Sequence, residues 1–312
     1  MRVVAALGGN ALLKRGEPLS AANQLANVRR AAAALAPLAA AGHQLVVTHG
    51  NGPQVGLLAL QSAAGPAEGA QPLDVLDAES EGMIGYLIER ELGNALGPGA
   101  QVATLLTQVR VDPADPAFAK PTKPIGPVYT EAAARALGLP VAADGKGWRR
   151  VVASPKPVEI VEAAVIARLV DAGITVVCTG GGGIPVARGA DGRLDGIEAV
   201  VDKDLASALL ARSLKADALL MLTDVAAVSL DWGTPRAREI ARAHPDALAG
   251  LGFAAGSMGP KVEAAIGFAR ASGGRAAIGR LEDAAGLLDG SAGTTIDATA
   301  PGLLMRPAAG QS

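Results

Sequence analysis

Short β-branched runs alternate with longer Ala- and Leu-rich helical patterns along this chain, and that alternation leaves few architectures open to it. "RVVAAL" from Arg2 precedes a helical pattern over about Ser20 to Ala41, "QLVVTH" follows from Gln44, and another helix opens near Pro53. This is βαβα order, which calls for a parallel sheet. Gly42 stands where a helix C′ glycine belongs and Pro53 where a first-turn proline belongs, so the punctuation agrees with the periodicity. Further strands are expected in "VATLLTQV" from Val102, "ITVVCTG" from Ile174, "ALLMLTD" from Ala218 and "RAAIG" from Arg275. Helices are expected near 79–95, 158–171, 203–214 and 259–271. Most of these strands are apolar on both faces, so crossover helices must cover both sides. The expected fold class is α/β, a three-layer α/β/α sandwich around an open, mainly parallel sheet.

One segment breaks the rhythm. Five prolines fall between Asp112 and Pro127, and a short helix near Glu131 leads to "VAADGKGWRRVV", where Asp144-Gly145 suits a hairpin turn. Residues 112–157 read as a small excursion protruding from the sheet, either a functional lid or a long surface connection. The chain is then a single domain over 1–312, in which the excursion separates a first half, 1–111, from a second half, 158–312.

Composition narrows the function. Half of the 312 residues are apolar, yet there are only 3 Phe, 2 Trp and 2 Tyr, so the core must be built from Ala, Val, Leu and Ile in close layers. A net charge of −2 gives no global field for nucleic acid or an anionic membrane, so any cationic site must be local. One cysteine, Cys178, and three scattered histidines offer neither an intrachain disulfide nor zinc-ligand spacing. The apolar run from Ala31 is interrupted by Pro37, short of the ~20 residues that a bilayer needs. The apolar segment from Val3 to Leu7 is shorter than the ~7–15 residues of a secretory signal. A cytoplasmic location is the expectation.

Three glycine-rich turns follow three strand-like runs: "LGGNAL" from Leu7, "THGNGPQVG" from Thr48 and "CTGGGGIPV" from Cys178, the last containing Gly181 and Gly182. In an open parallel sheet such turns collect along one edge, where ligands bind. Glycines let backbone N–H groups approach an anion, so phosphate or a small planar anion is the expected occupant. None of the turns has the spacing of the P-loop or of the dinucleotide fingerprint. Phosphoryl transfer also needs cations. Lys203 in "VDKDLAS", beside Asp204, lies near an element end, as do Lys261 in "GSMGPKVEAA" after Ser257 and Lys123 in "PTKPIGP". His49 either contacts substrate or holds its own loop by a hydrogen bond. Cys178 reads as a small buried strand residue, Glu79 and Glu81 as dipole-favoured acids at a helix start, and Trp148 and Trp232 as packing.

Taken together these strings resemble carbamate kinase, of the amino acid kinase superfamily. The similarity runs from "ALGGNALL" at Ala6 through "ANQLANVRRAA", "VVTHGNGPQVG", "EGMIGY", "TQVRVDPADPAFAKPTKPIGPVY", "GWRRVVASPKP", "GGGGIPV", "GIEAVVDKDLAS", "LLMLTDV" and "GSMGPKVEAAIGF" to "GTTI", essentially the whole chain in order. The resemblance implies a sheet of about eight strands and a homodimer that exchanges a phosphoryl group between ATP and carbamate, with Mg2+, giving ADP and carbamoyl phosphate. Such enzymes commonly serve arginine breakdown. Gly8, Gly9 and Asn10 would hold the transferred phosphate, with Gly181 and Gly182 in the same phosphate-binding set. Gly50, Asn51 and Gly52 would line the carbamate side. Lys203 and Lys261 would neutralise transition-state charge, Asp204 would orient them, and Lys123 would reach in from the lid. The nucleotide would lie over the second half, near Thr223, Asp224, Met258 and Pro260, with the substrate on the side of 1–111. No residue is expected as a direct metal ligand.

The chemistry of the residues agrees. Carbamate is already an anionic oxygen nucleophile, which explains the lack of any Ser-His-Asp constellation. Two departures from the family strings are present: Ser229 where an aromatic residue follows "LTDV", and Glu81 where glutamine is usual. Two other readings are a kinase for a larger carboxylate, such as an acetylglutamate-kinase-like enzyme, and a non-catalytic nucleotide or metabolite sensor. The first needs an added pocket, and the second predicts loss of a charged position among Lys123, Lys203, Asp204 and Lys261, all of which are present.

Overall fold

The computed structural model describes residues 1–13, 16–66, 69–145, 147–253 and 258–307, with Asn10 described by its backbone alone. The order of elements begins β1 (Arg2–Leu7), α1 (Gly9–Leu12), α2 (Ala21–Ala40), β2 (Gln44–His49), α3 (Gly52–Ala64), α4 (Leu73–Leu96), β3 (Val102–Leu105) and β4 (Gln108–Val111). It continues with β5 (Lys123–Tyr129), α5 (Glu131–Ala136), β6 (Val141–Asp144), β7 (Gly147–Val152), β8 (Pro157–Ile160), α6 (Ala163–Asp171), β9 (Thr175–Cys178), β10 (Ile184–Arg188) and β11 (Leu194–Gly196). The remainder is α7 (Lys203–Ser213), β12 (Ala218–Thr223), β13 (Ser229–Leu230), β14 (Arg238–Ala243), α8 (Pro245–Ala249), α9 (Met258–Ser272), β15 (Arg275–Arg280), α10 (Ala284–Asp289), β16 (Thr294–Ile296) and β17 (Leu303–Met305).

The main sheet runs β13-β14-β16-β15-β12-β1-β2-β9-β3, with β17 paired to β14 as its tenth strand. The central pairs are parallel, with Leu7 in register with both His49 and Leu222. Antiparallel pairing is confined to the β13-β14, β14-β17 and β15-β16 contacts. Two short edge strands, β13 and β17, bring the sheet above the expected strand number. Side chains alternate across a strand, and here both faces are buried. Val4, Val46, Leu219 and Met221 point into one core with α6, α7 and α9. Val3, Ala5, Leu45, Val47 and Leu220 point into the other, with α2, α4 and α10. That is the three-layer sandwich, and it explains why these strands read as unbroken apolar runs.

Three segments differ from the sequence expectation. "VATLLTQV" is two strands: β3 ends the main sheet at Leu105, and β4 crosses to a four-stranded sheet of order β11-β10-β4-β8. Leu106 and Thr107 make the break, one half-exposed and the other buried. The helix expected over 158–171 begins only at Ala163, because Pro157 to Ile160 pairs with β4 as a strand. The helix expected from 79 begins at Leu73 behind Pro72.

Within 112–157, β5, β7 and β6 form a separate antiparallel sheet. Asp144 pairs with Gly147 around the anticipated hairpin turn, where Gly145 has φ +61°. This small sheet rests on α3 through two facing glycines. A Cβ added to Gly56 would stand 1.9 Å from the Cα of Gly126 and 2.0 Å from its N, inside any permitted contact. Beneath lies a cluster of Val55, Leu73, Leu76, Ile125, Val152 and Val200. Gly56→Ala must therefore push backbone against backbone. A loss of about 1–3 kcal/mol is expected, the range for overpacking, read as a lower urea midpoint with unchanged slope; an unaltered midpoint would mean that the two segments separate freely.

Candidate active site

The turns after β1, β2 and β9 emerge side by side because those strands are neighbours in the sheet. The N–H of Gly8 donates to the Leu222 carbonyl at 2.9 Å, which fixes the first turn against the end of β12. The N–H of Gly50 donates to the Leu7 carbonyl at 3.2 Å and brings the second turn to the first. A Cβ on Gly50 would lie 3.6 Å from the N of Gly9 and 3.8 Å from Cδ of Lys203. The added Cβ of Gly9 or Gly52 would meet nothing within 4 Å. Gly8, Gly9, Gly50 and Lys203 thus share one small region. Asn10 follows Gly9 in α1; its side chain is outside the described set.

Charge is delivered by two helix starts. Asp202 caps α7, its Oδ1 accepting from the backbone N–H of Asp204 at 2.9 Å and of Leu205 at 3.3 Å. That cap places Lys203 and Asp204 in the first turn, facing inward, 9% and 5% exposed. Asp204 is a two-sided clamp: Oδ1 accepts from Nζ of Lys203 at 2.5 Å and Oδ2 from Nζ of Lys261 at 2.9 Å. Lys261 reaches it from the first turn of α9, which also holds Met258 and Pro260. Ser257 lies outside the described residues. Lys123, at the start of β5, donates from Nζ to the free oxygen of the cap, Oδ2 of Asp202, at 2.6 Å. Three lysines face two aspartates, so the local balance is positive in a chain whose net charge is −2.

The electrostatics follow from burial. Burial alone would raise the Asp204 carboxyl, but the Lys203 and Lys261 ammonium groups outweigh it and hold the group below the usual carboxylate range. Burial lowers Lys203, with the Asp204 carboxylate opposing and Lys261 adding to the shift. Burial opposes ionisation of Asp202 too, yet Lys123 holds it below its ordinary value. His49 is neutral: burial pushes it down to about 4, against the Gly50 hydrogen bond and with Lys203 nearby. Its Nδ1 lies 3.1 Å from the Gly50 carbonyl, so that nitrogen donates and the ring holds its own loop. Cys178 is fully buried, and burial pushes its thiol up, which removes it as a nucleophile at neutral pH.

The third turn packs against the second turn and the approach to α7, not against the Gly8–Gly9 turn. Thr179, Gly181, Gly182 and Gly183 all have positive φ. A Cβ on Gly181 would strike Nδ2 of Asn51 at 2.2 Å, and one on Gly182 would meet the Val201 carbonyl at 2.5 Å. The N–H groups of Gly182 and Gly183 donate to the carbonyls of Thr179 and Gly180, within the turn itself. Asn51 is equally engaged. Its NH2 donates to Oδ1 of Asp77 at 2.9 Å and to the Ser80 hydroxyl at 2.8 Å, all buried.

Thr223 and Asp224 sit at the end of β12, where the Cα of Thr223 is 3.8 Å from the added Cβ of Gly8 and the Thr223 hydroxyl donates to Asp224 Oδ1 at 3.2 Å. Ser229 lies in β13, at the edge of the sheet. Trp232 corrects an expectation: it is 69% exposed and not a packing residue, since it sits in the tight turn after β13. Trp148 does pack, under the Arg135 guanidinium at 4.9 Å. Sequence reasoning missed Asp202, Asp77 and Ser80. Asp202 carried a signal, since an Asp immediately before a helical run is the N-cap pattern.

Comparison with known proteins agrees with this fold. A model of the amino acid kinase family matches residues 1–280. The chain is 54% identical over 305 residues to the carbamate kinase of Rhizobium meliloti (strain 1021), spanning 96% of this chain and 94% of that one. It is 47% identical over 310 residues to the carbamate kinase of Pyrococcus furiosus (strain ATCC 43587 / DSM 3638 / JCM 8422 / Vc1), spanning 95% and 98%. Among solved structures, carbamate kinase from Giardia lamblia bound to AMP-PNP superposes with a TM-score of 0.87 at 44% identity, over 95% of this chain and 98% of that one. N-acetylglutamate synthase from Neisseria gonorrhoeae, at 18% identity and a TM-score of 0.58, shares the fold alone. Full-length identity at this level, on a sheet edge carrying clamped lysines beside paired glycine turns, means that the chain belongs to the amino acid kinase family, within its carbamate kinase group.

Proposed function

We propose that this protein is a carbamate kinase, moving a phosphoryl group reversibly between ATP and carbamate to give ADP and carbamoyl phosphate. The observation that carries the reading is the Lys203–Asp204–Lys261 clamp beside the Gly8–Gly9 and Gly50 turns. A carbamate oxygen forms a bond to the γ-phosphorus while the bond from that phosphorus to the bridging oxygen breaks, and ADP leaves with that electron pair. The nucleophile is already anionic, so no base is needed, in keeping with a buried, neutral His49. Two anions must be held in line against their repulsion. Lys203 and Lys261 offset charge on the transferred group, each with donors left after its bond to Asp204. Gly8, Gly9 and Asn10, together with Gly181 and Gly182, bound the phosphate side, and Gly50, Asn51 and Gly52 the carbamate side. Thr223, Asp224, Met258 and Pro260 face the nucleotide.

Bound Mg2+ would supply positive charge that offsets the phosphate groups. Among the described residues no group of three acidic or imidazole side chains could hold a metal, and Asp202 and Asp204 are paired to lysines. This chain would supply Lys203 and Lys261 around the phosphates beside the ion. Residues 1–111 form the substrate side, 112–157 the lid that carries Lys123, and 158–312 the nucleotide side. A homodimer is supported by exposed Met83 and Tyr86 on α4, next to exposed Leu106 at the sheet edge. A cytoplasmic location completes the reading; no described helix is long and apolar enough to cross a membrane.

Purified protein given ADP, Mg2+ and carbamoyl phosphate should form ATP readily, and acetyl phosphate should be a much poorer donor; no ATP, or faster turnover of a bulkier acyl phosphate, contradicts the assignment. Lys203→Ala should lower kcat by ~10²-fold or more, the scale for one preorganised electrostatic donor, while circular dichroism stays native. Lys123→Ala should weaken catalysis as well. Proteolysis within 112–157 should slow when a non-hydrolysable nucleotide and carbamate are bound, and equal cutting with and without them would make the segment a rigid support.

A further inference from the structure

Three separate segments meet at one buried carboxyl. Glu81, on the inner face of α4, is 0% exposed. Its Oε1 accepts from the backbone N–H of Gly180 at 2.6 Å, and its Oε2 from that of Thr107 at 3.1 Å. Thr107 begins the crossing between β3 and β4, and its hydroxyl accepts from the N–H of Thr179 at 3.0 Å. The carboxyl thus ties α4 to the strand crossing and to the turn after β9. Both of its protein partners are donors, so only the ionised form can accept fully from both. A protonated carboxyl would aim its O–H, or leave a weakened acceptor, at one backbone N–H.

The turn held in this way touches both sides of the reaction site. A Cβ on Gly180 would stand 2.4 Å from the His49 ring and 2.8 Å from Cγ of Glu81. Gly181 lies against Asn51, and Gly182 against the Val201 carbonyl, which immediately precedes Asp202 and Lys203. A shift at Gly180 therefore displaces either the Gly50–Asn51 turn or the start of α7. We infer that Glu81 is a positioning residue for phosphoryl transfer, and that gain or loss of its proton sets how firmly the Gly180–Gly183 turn holds Asn51 and Lys203 in place. This inference rests on the kinase reading for its effect on turnover but not for the tie itself.

The surroundings put that proton within reach of ordinary buffers. Burial pushes the Glu81 carboxyl up to about 8, against the Thr107 and Gly180 hydrogen bonds and with the Glu162 carboxylate adding to the rise. Asp77, one turn earlier on α4, is itself raised by burial, with Glu81 contributing. From β2 the neutral His49 faces it, and from β9 the un-ionised Cys178. Glu162, ahead of α6, is bonded to the backbone N–H and side-chain NH2 of Gln108. The folded-state value exceeds the ordinary one, so folding favours the proton. Stability contributed at this group falls as pH rises from about 4.5 to about 8, while the tie to both amides tightens.

Selective 15N labelling of glycine, threonine and asparagine reads the tie without substrate. The Gly180 and Thr107 amides should shift together with a single midpoint near 8 in the wild-type protein, while the Asn51 side-chain NH2 reports Asp77 separately. In the direction from ADP and carbamoyl phosphate, wild-type kcat should rise between pH 7 and 9, by up to about tenfold for one ionisation centred in that range. Glu81→Gln should lose that limb. Absence of a shared transition at the two amides overturns the inference. So does a shared transition with superimposable kcat profiles for the wild type and the variant. Failure of the wild-type protein to form ATP at any pH would instead sink the kinase reading and leave the amide result to decide the tie.

Discussion

Two ammonium groups cannot sit buried and adjacent without an anion between them, and Asp204 is that anion. Its two oxygens hold Lys203 and Lys261 at 2.5 and 2.9 Å from helices that come from distant parts of the chain. The arrangement has a cost in desolvation, and removing one partner would leave an uncompensated buried charge. Helices α7 and α9 must therefore start at one place, and the strands that follow them, β12 and β15, pair in parallel in the main sheet. The cap at Asp202 fixes the first turn of α7, and its second oxygen draws Lys123 of the β5-β7-β6 sheet to the same spot. Positive charge gathered beside the glycine turns is the product of this geometry.

The surroundings are arranged around that edge by close approach more than by polar contact. Glycine at 56 and 126 lets the small sheet rest on α3, and glycine at 180, 181 and 182 lets the third turn fit among His49, Asn51 and Val201. Polar ties then set the turns: Asn51 to Asp77 and Ser80, Glu81 to Gly180 and Thr107. A reaction between two anions gains most from such preorganisation, because nothing needs to reorient as charge develops.

Much of this was legible in the sequence where local pattern and tertiary demand agree. The doubly apolar β1, β2, β9 and β12 could only be buried parallel strands, and Ser20 and Gly42 bracketed α2. The β3–β4 crossing was not legible, because "VATLLTQV" is apolar and β-prone throughout; the break at Leu106 comes from sheet topology. Residues 157–160 continue the helical pattern of α6 in the N-terminal direction, but Pro157 cannot donate and Val158 and Ile160 suit the strand that β4 recruits. In the site, the three lysines were candidates because phosphoryl chemistry requires cations and each lies near an element end, while their roles and that of Asp204 came from the family resemblance. Asp77, Ser80 and the partners of Glu81 were not candidates, because their meaning lies in contacts with residues about 30 to 100 positions away. Trp232 read as packing from its size, whereas its place in a tight turn exposes it.

The central claim is that Asp204 acts through the lysines that it clamps. A double-mutant cycle on kcat/KM with Lys203→Ala and Asp204→Asn tests this most directly. If the carboxylate's role is to hold the ammonium groups, Asp204→Asn should cost at least tenfold less in the Lys203→Ala background than in the wild type, a coupling within the range for contacting charged residues. Effects that multiply to within about twofold, as for independent sites, would contradict the account.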